Sequence, residues 1–269
     1  MDGSVVAMTR LSRRRMTSSW HSGCSYVTAA PVTPHEFLTL DCHKPSLWWG
    51  VFGEFTIDPW QLRVRPGERF NTATHLLGLG LALAGGWILL SRTAALGDPA
   101  RTIGAAVFAL ATITLYAASC LFHGSCGGLR VLGERADHCA IHGLIAGSYT
   151  PFALATATVG YGWILLAGVW ALAAWAIRNA LRADAGQAPP LHHYLALGWL
   201  CVLGVLPLAG ELDNTALGWL LAGAASYSVG TVFYRNRGGW RHAHGTWHLF
   251  VIGGSASHYL GILHCLTGR

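Results

Sequence analysis

The chain has 269 residues, of which 52% are hydrophobic and only 11% charged, with 34 glycines and 12 tryptophans. Soluble domains carry about a quarter of their residues charged, so this composition excludes an ordinary water-soluble enzyme and makes lipid the main solvent. The net charge of +6 then describes loops beside anionic lipid and is no evidence for nucleic-acid binding.

Residues 1-65 form an N-terminal extension rich in Ser, Thr and Arg, including Arg13, Arg14 and Arg15. No apolar stretch of signal-peptide length follows these basic residues, so a cleaved leader is not expected. Trp48, Trp49, Val51 and Phe52 are candidates for the membrane surface, and the other reading is an unstructured extension or a misassigned start, with translation beginning at Met8 or Met16. No function is assigned there.

From Asn71 to Arg269 only 16 of 199 residues are Asp, Glu, Lys or Arg, and all but Arg269 fall into five clusters. The charge-free stretches between them hold 21, 28, 40, 26, 21 and 27 residues. About 20 apolar residues cross a bilayer as a helix, so five stretches hold one span each and the longest holds two. Val159-Gly160-Tyr161-Gly162 supplies the break in the long one. The predicted spans are 72-91, 102-123, 138-158, 161-178, 191-209, 215-234 and 244-265, giving an all-α integral membrane protein, a seven-transmembrane helix bundle over 66-269. The apolar runs are continuous and do not alternate with period two, which argues against a closed barrel.

Ten arginines flank the spans on the side of the N-terminus and three on the other, which predicts a cytoplasmic N-terminus and a C-terminus outside. Pro151 inside the third span removes a backbone hydrogen bond and predicts a kink, with Ser148 and Thr150 as candidates to satisfy the freed carbonyls. The kink has a purely structural reading and a lipid-access reading of equal weight. The seven cysteines, an odd number mostly inside spans, predict small apolar fillers and no disulfide framework.

Fourteen histidines accompany a single lysine. Ionisable residues at membrane depth are functional candidates. The topology brings His123 at the end of helix 2, Asp137 just before helix 3, and His244 and His248 at the start of helix 7 to one end of the bundle. His244 and His248 are four apart and share a helix face, so two imidazoles can hold one metal ion, with His123 as a third. Three histidines with one open position is the pattern of a catalytic zinc site. Ser119, one turn before His123, and Asp137 are candidates to orient a ligand or a water through hydrogen bonds. His138 and His142 have the same spacing, so spacing alone does not choose between the two pairs. His75, His258 and His264 are expected to hydrogen-bond between helices, and His192, His193 and His242 to lie in loops or at the interface.

The segments Asn71-Thr-Ala-Thr-His75, Leu115-Tyr-Ala-Ala-Ser119-Cys-Leu-Phe-His123-Gly-Ser125, Asp137-His138-Cys-Ala-Ile141, Ile145-Ala-Gly-Ser-Tyr-Thr-Pro-Phe152 and His244-Gly-Thr-Trp-His248-Leu-Phe-Val251 resemble those of the hemolysin III family, the bacterial branch of the progestin and AdipoQ receptors. The likeness runs from about Arg65 to the C-terminus, with the motifs in order on the expected helices. It implies Zn2+ held by His123, His244 and His248, with Ser119 and Asp137 as the helix 2 serine and helix 3 aspartate, and it thereby favours the helix 7 pair over the helix 3 pair. The chain departs from the family in carrying Leu76 where glycine is usual, Ser148 where threonine is usual, and a histidine at 142. The first departure puts the packing around His75 in question.

The resemblance implies three functions. The first is a zinc-dependent hydrolase of a lipid amide or ester, in the manner of the ceramidases of the wider superfamily, with Asp137 managing a proton. The second is a receptor or membrane-homeostasis sensor with structural zinc. A pore-forming hemolysin ranks third, because seven spans describe a resident membrane protein. Membrane lipid is the expected partner and the bacterial inner membrane the expected location; the sequence does not give the oligomeric state.

Overall fold

Seven helices account for nearly all of the chain described by the computed structural model, which covers residues 61–156, 160–183, 189–210 and 212–268. The helices are α1 (Arg69–Ala95), α2 (Pro99–Gly124), α3 (Gly127–Ala155), α4 (Tyr161–Arg182), α5 (Leu191–Val205), α6 (Asn214–Arg235) and α7 (Ala243–Thr267). Among the described residues there is no strand. The N-terminal extension, with its arginine run and Trp48 to Phe52, lies outside them up to residue 60.

Local chemistry sets several of the helix ends. Asp98 accepts hydrogen bonds from the Ala100 and Arg101 amides at 2.9 and 3.3 Å, and Pro99 occupies the first turn, where a missing N–H costs nothing. Asp213 caps α6 through the Thr215 amide at 2.6 Å. Asn236 ends α6 in the left-handed region, with φ 40°, which asparagine tolerates better than most residues.

The solvent implied by the composition shows in the packing. Trp87, Ile164, Leu110 and Leu203 are among the large apolar side chains more than half exposed, while Leu89, Tyr116, Phe152, Val205, Leu220 and Ile262 fill the interior. Such an outer surface is stable only against lipid. The chain is a multi-pass integral membrane protein. Five helices meet the length and apolarity of a membrane span outright, among them α2 and α7. α5 is short, but with the 3-10 turn Leu206–Leu208 that continues it, its 18 residues extend about 28 Å. That is close to the thickness of a hydrocarbon core, about 30 Å.

Helix α3 starts at Gly127, well before the expected 138, because a charge-free stretch marks the apolar part of a helix and not its polar first turns. Those turns carry Arg130, Glu134, Arg135 and Asp137 and lie tight against the end of α2. At Gly133 a Cβ would come within 2.6 Å of the Phe122 backbone nitrogen, so only glycine allows the approach. α5 ends at Val205, short of the expected 209, where the 3-10 turn containing Pro207 takes over. The expected break after helix 3 falls between Ala155 and Tyr161, with Gly160 at φ 76° before α4.

Two expectations about packing need correction. Ser148 and Thr150 donate to the Leu144 and Ala146 carbonyls, at 2.8 and 2.9 Å, and not to the Gly147 carbonyl that Pro151 leaves without its helical donor. A hydroxyl on the helix reaches back to its own i−4 carbonyl, and neither residue is i+4 from Gly147. Leu76 does not crowd His75, because its side chain is 56% exposed and faces outward. The close approach on α1 occurs instead at Gly78, which faces the ring of Tyr116. Cys120, Cys139, Cys201 and Cys265 are free thiols within the bundle.

α1 packs against α2 and α7, α2 against α3, and α6 against α7, while α3 also touches α4, α5 and α7. This arrangement places the end of α2 between the beginnings of α1 and α7.

Candidate functional site

Three buried imidazoles meet at that junction. His75 from α1, His123 from α2 and His248 from α7 present ring nitrogens that all lie within 4.8 Å of one another. The His75 and His123 rings stack at 5.4 Å with an interplanar angle of 9°, and the His75 and His248 centroids are 3.8 Å apart. The helices explain the meeting: His75 and His248 sit six and five residues after the starts of α1 and α7, and His123 one residue before the end of α2. Neighbouring helices that run in alternate directions thus bring the three residues to similar depth.

Hydrogen bonds leave a nitrogen free on each of two rings. The Glu68 carboxylate lies 2.8 Å from His123 Nδ1 and can only accept, so Nδ1–H donates and Nε2 keeps its lone pair. Asn71 donates to the same carboxylate at 2.6 Å, and Arg130 reaches its other oxygen at 3.2 Å. Arg130 is itself fixed by the Phe122 carbonyl at 2.8 Å and by the Phe122 ring beneath its guanidinium. Thr74 spends its one hydroxyl proton on the Asn71 carbonyl at 2.8 Å, so its oxygen accepts from His248 Nδ1 at 3.1 Å. His248 Nε2 is therefore also free. On His75, Nδ1 is buried with no partner within the described residues. Carboxylates and hydroxyls behind imidazoles are the usual supports of metal-ligating histidines, because they fix the tautomer and raise ligand basicity.

His244 flanks this set. Its ring centroid lies 4.5 Å from that of His248 and 5.2 Å from that of His123, and it is half-buried. The structure thus gathers all three histidines named from the sequence and adds His75, which forms the tightest group with two of them.

Ser119 and Asp137 stand beside the cluster and are joined to each other, with the Ser119 hydroxyl donating to Asp137 Oδ1. Both line a cavity of about 260 Å³, as do His75, His123, His244 and His248. Apolar residues of α3, α5, α6 and α7, Leu144, Leu195, Ala224 and Val251 among them, form much of the remaining wall. A site of this composition offers imidazole nitrogens, a carboxylate and a hydroxyl at one end of a greasy chamber.

The other histidines are placed as follows. His142 is buried and stacks on Tyr194 at 4.7 Å, while His138 lines the cavity. His264 pairs with Asp213 at 3.1 Å, linking α7 to the turn before α6. His192, His193 and His242 are exposed. His258 is buried without hydrogen-bonding in the manner expected of it. The sequence does not single out Glu68, Thr74 and Arg130 as supports. Glu68 was legible only as the acidic residue preceding the first span, one turn before Thr72.

Comparison with known proteins gives the family. A family model described as haemolysin-III related matches residues 64–259. The chain is 33% identical over 207 residues to Hemolysin-3 of Bacillus cereus, covering 73% of this chain and 90% of that protein. It is 33% identical over 201 residues to the Hemolysin-3 homolog of Bacillus subtilis, covering 73% and 92%. A shorter likeness, 31% over 134 residues, joins it to the human monocyte to macrophage differentiation factor, covering 47% of this chain and 52% of that protein.

Proposed function

The chain belongs to the haemolysin-III related family, and from that premise we propose that it is a zinc-dependent hydrolase of lipid amide or ester bonds, working at the cytoplasmic end of its bundle in a bacterial inner membrane. The observation that carries the reading is that the histidine cluster and the Ser119–Asp137 pair open onto one largely apolar cavity. Walls of this kind suit an acyl chain.

The donor set suits a first-row metal. Nδ1 of His123 and Nδ1 of His248 are tied by hydrogen bonds, which leaves Nε2 of each to bind, and Nδ1 of His75 is buried with no partner among the described residues. His123 and His248 would hold the ion together with one of the two rings that flank them, His75 or His244. When bound, zinc would polarise a lipid carbonyl and acidify a water. The chain's own residues do the rest. Asp137 is within reach of the same chamber and takes up and returns a proton at its carboxylate, while Ser119 donates to Oδ1 and fixes its orientation. Glu68 holds His123 in one tautomer, and Arg130 and Asn71 hold Glu68. The apolar walls keep bulk water from the reacting end.

The alternative, a receptor or membrane-state sensor with structural zinc, is favoured by one observation: the three buried histidines come from three different helices, so an ion would staple α1, α2 and α7 together. Asp137→Asn separates the two readings. For a hydrolase, the variant keeps its metal and its Tm while turnover of a ceramide or acyl-ester panel falls by about 10²- to 10⁴-fold. For a sensor no turnover exists to lose, and chelation lowers Tm with no other effect. Full turnover by metal-free protein would sink the hydrolase proposal.

A further inference from the structure

The cavity has a second polar end that the proposed chemistry does not use. Among its lining residues, the buried side-chain atoms without a hydrogen bond are His75 Nδ1, the Tyr194 hydroxyl and both ring nitrogens of His258. His75 belongs to the histidine cluster, and Tyr194 lies within electrostatic reach of Asp137. His258 stands apart. It follows His248 by ten residues on α7, about 15 Å along the helix axis.

His258 is only 4% exposed, and its polar neighbours are already committed. The Tyr116 and Tyr227 hydroxyls both bond Ser255 Oγ, each at 3.0 Å, and the Tyr149 hydroxyl donates to the Gly198 carbonyl at 3.2 Å. The rings of Tyr227 and Tyr149 meet the imidazole edge-on at 5.5 and 6.2 Å. The edge carrying Nε2 lies over Gly223, where a Cβ would come within 2.5 Å of that atom. Neither Nε2 nor Nδ1 has a hydrogen-bond partner of normal geometry among the described residues. Leaving a buried imidazole nitrogen without a partner is costly, and a ligand that supplied the partner would recover that cost.

The charge around this end defines the ligand's chemistry. The carboxylates lining the cavity, Glu134 and Asp137, lie on the early turns of α3, while Tyr149, which faces His258, comes twelve residues after Asp137. The surroundings of His258 are tyrosine rings, small residues and apolar walls, so they suit an uncharged group that donates one hydrogen bond. We infer that His258 is a subsite for a hydroxyl carried partway along the chain of an acyl lipid, its O–H donating to the free imidazole nitrogen. The placement of that hydroxyl rests on the proposed function, which puts the lipid's carbonyl at the histidine cluster. The separation along α7 then corresponds to about a dozen methylenes of extended chain.

The test is binding, read separately from turnover. Fatty acid amides of one chain length, bearing a hydroxyl about a dozen carbons from the carbonyl, at half that distance, or nowhere, compete with a fluorescent acyl probe on the detergent-purified full chain. The distal hydroxyl is expected to tighten binding about tenfold over the other two, the value of one buried hydrogen bond. His258→Phe should erase the preference and leave the affinity for the unsubstituted amide as it was. Equal binding of the three amides by the parent overturns the subsite, as does a preference that survives in His258→Phe. Should that variant not fold, the positional series on the parent decides alone. Hydrolysis assayed on the same samples keeps the two proposals apart: preference without turnover retains the subsite and removes the hydrolase, and turnover without preference does the reverse.

Discussion

His244 and His248 on α7 have the same four-residue spacing as His138 and His142 on α3, so each pair presents two imidazoles on one helix face. Their surroundings differ. The α7 pair faces His75 and His123, with Glu68 and Thr74 behind the rings to fix their tautomers. The α3 pair is split: His138 looks into the cavity, while His142 stacks on Tyr194 and keeps a buried Nδ1 with no partner. Among the described residues, the three-ligand cluster takes one member of the first pair, His248, and neither member of the second. Spacing puts two nitrogens on one face, but a metal site also needs donors from facing helices and acceptors behind the rings, and the fold supplies these at one pair.

The sharpest way to break the comparison is to remove its ligands one at a time. His123→Ala with His248→Ala should take the protein from about one metal ion per chain to none, read by mass spectrometry of detergent-purified protein. Against that reference, His75→Ala and His244→Ala should behave asymmetrically. Loss of the third ligand weakens metal binding by more than about 100-fold, and loss of the bystander by less than tenfold. Equal small losses from both would mean that neither ring closes the set, and that His123 and His248 complete it with a donor other than these two imidazoles.

A smaller effect is expected behind the ligands. Glu68→Gln keeps an oxygen that can accept from His123 Nδ1 but removes the negative charge that raises the basicity of the ring and pairs with Arg130. Metal affinity, measured by competition with a chelator, should fall by about 10- to 100-fold with the bundle still folded. An unchanged affinity would remove the carboxylate from the site and leave it as an ordinary partner of Arg130.

Much of this was legible in the sequence, for identifiable reasons. The spans could be read because lipid tolerates charge only at their ends, so Arg92 to Arg101 or Arg235 to Arg241 punctuate the chain as clearly as loops do. The start of α3 could not, because its polar first turns are stabilised by packing at Gly133 and not by lipid. His123, His244 and His248 were named from topology and spacing. The same reasoning gives His75 only as a helix-to-helix hydrogen bonder, although depth along the helices points to it: it and His248 lie at almost equal distances from the starts of α1 and α7, and deeper than His244. Glu68 was out of reach, since nothing in a run of charges before a span says which one turns inward. The unpartnered state of His258 depends on Tyr116, Tyr227 and Ser255 satisfying one another across three helices, a closure that no local pattern announces.

The least effect is expected at the other pair, and that is what makes it informative. His142→Phe replaces a buried imidazole by a ring that can keep the stack on Tyr194 and has no nitrogen to leave unsatisfied. Removing an unpaired buried polar atom offsets the slight overpacking of the larger ring, so stability should change by no more than about 1 kcal/mol in either direction. Metal content should stay at the parent value, because no ligand and no support of a ligand has been touched. If the substitution instead lowered metal content, the α3 pair would be part of the site through a chain of contacts crossing the cavity. The contrast with α7 would then be one of degree. If it raised Tm with metal unchanged, the unpartnered nitrogen would be shown to cost stability in the parent, and His142 would need a role elsewhere to account for its burial.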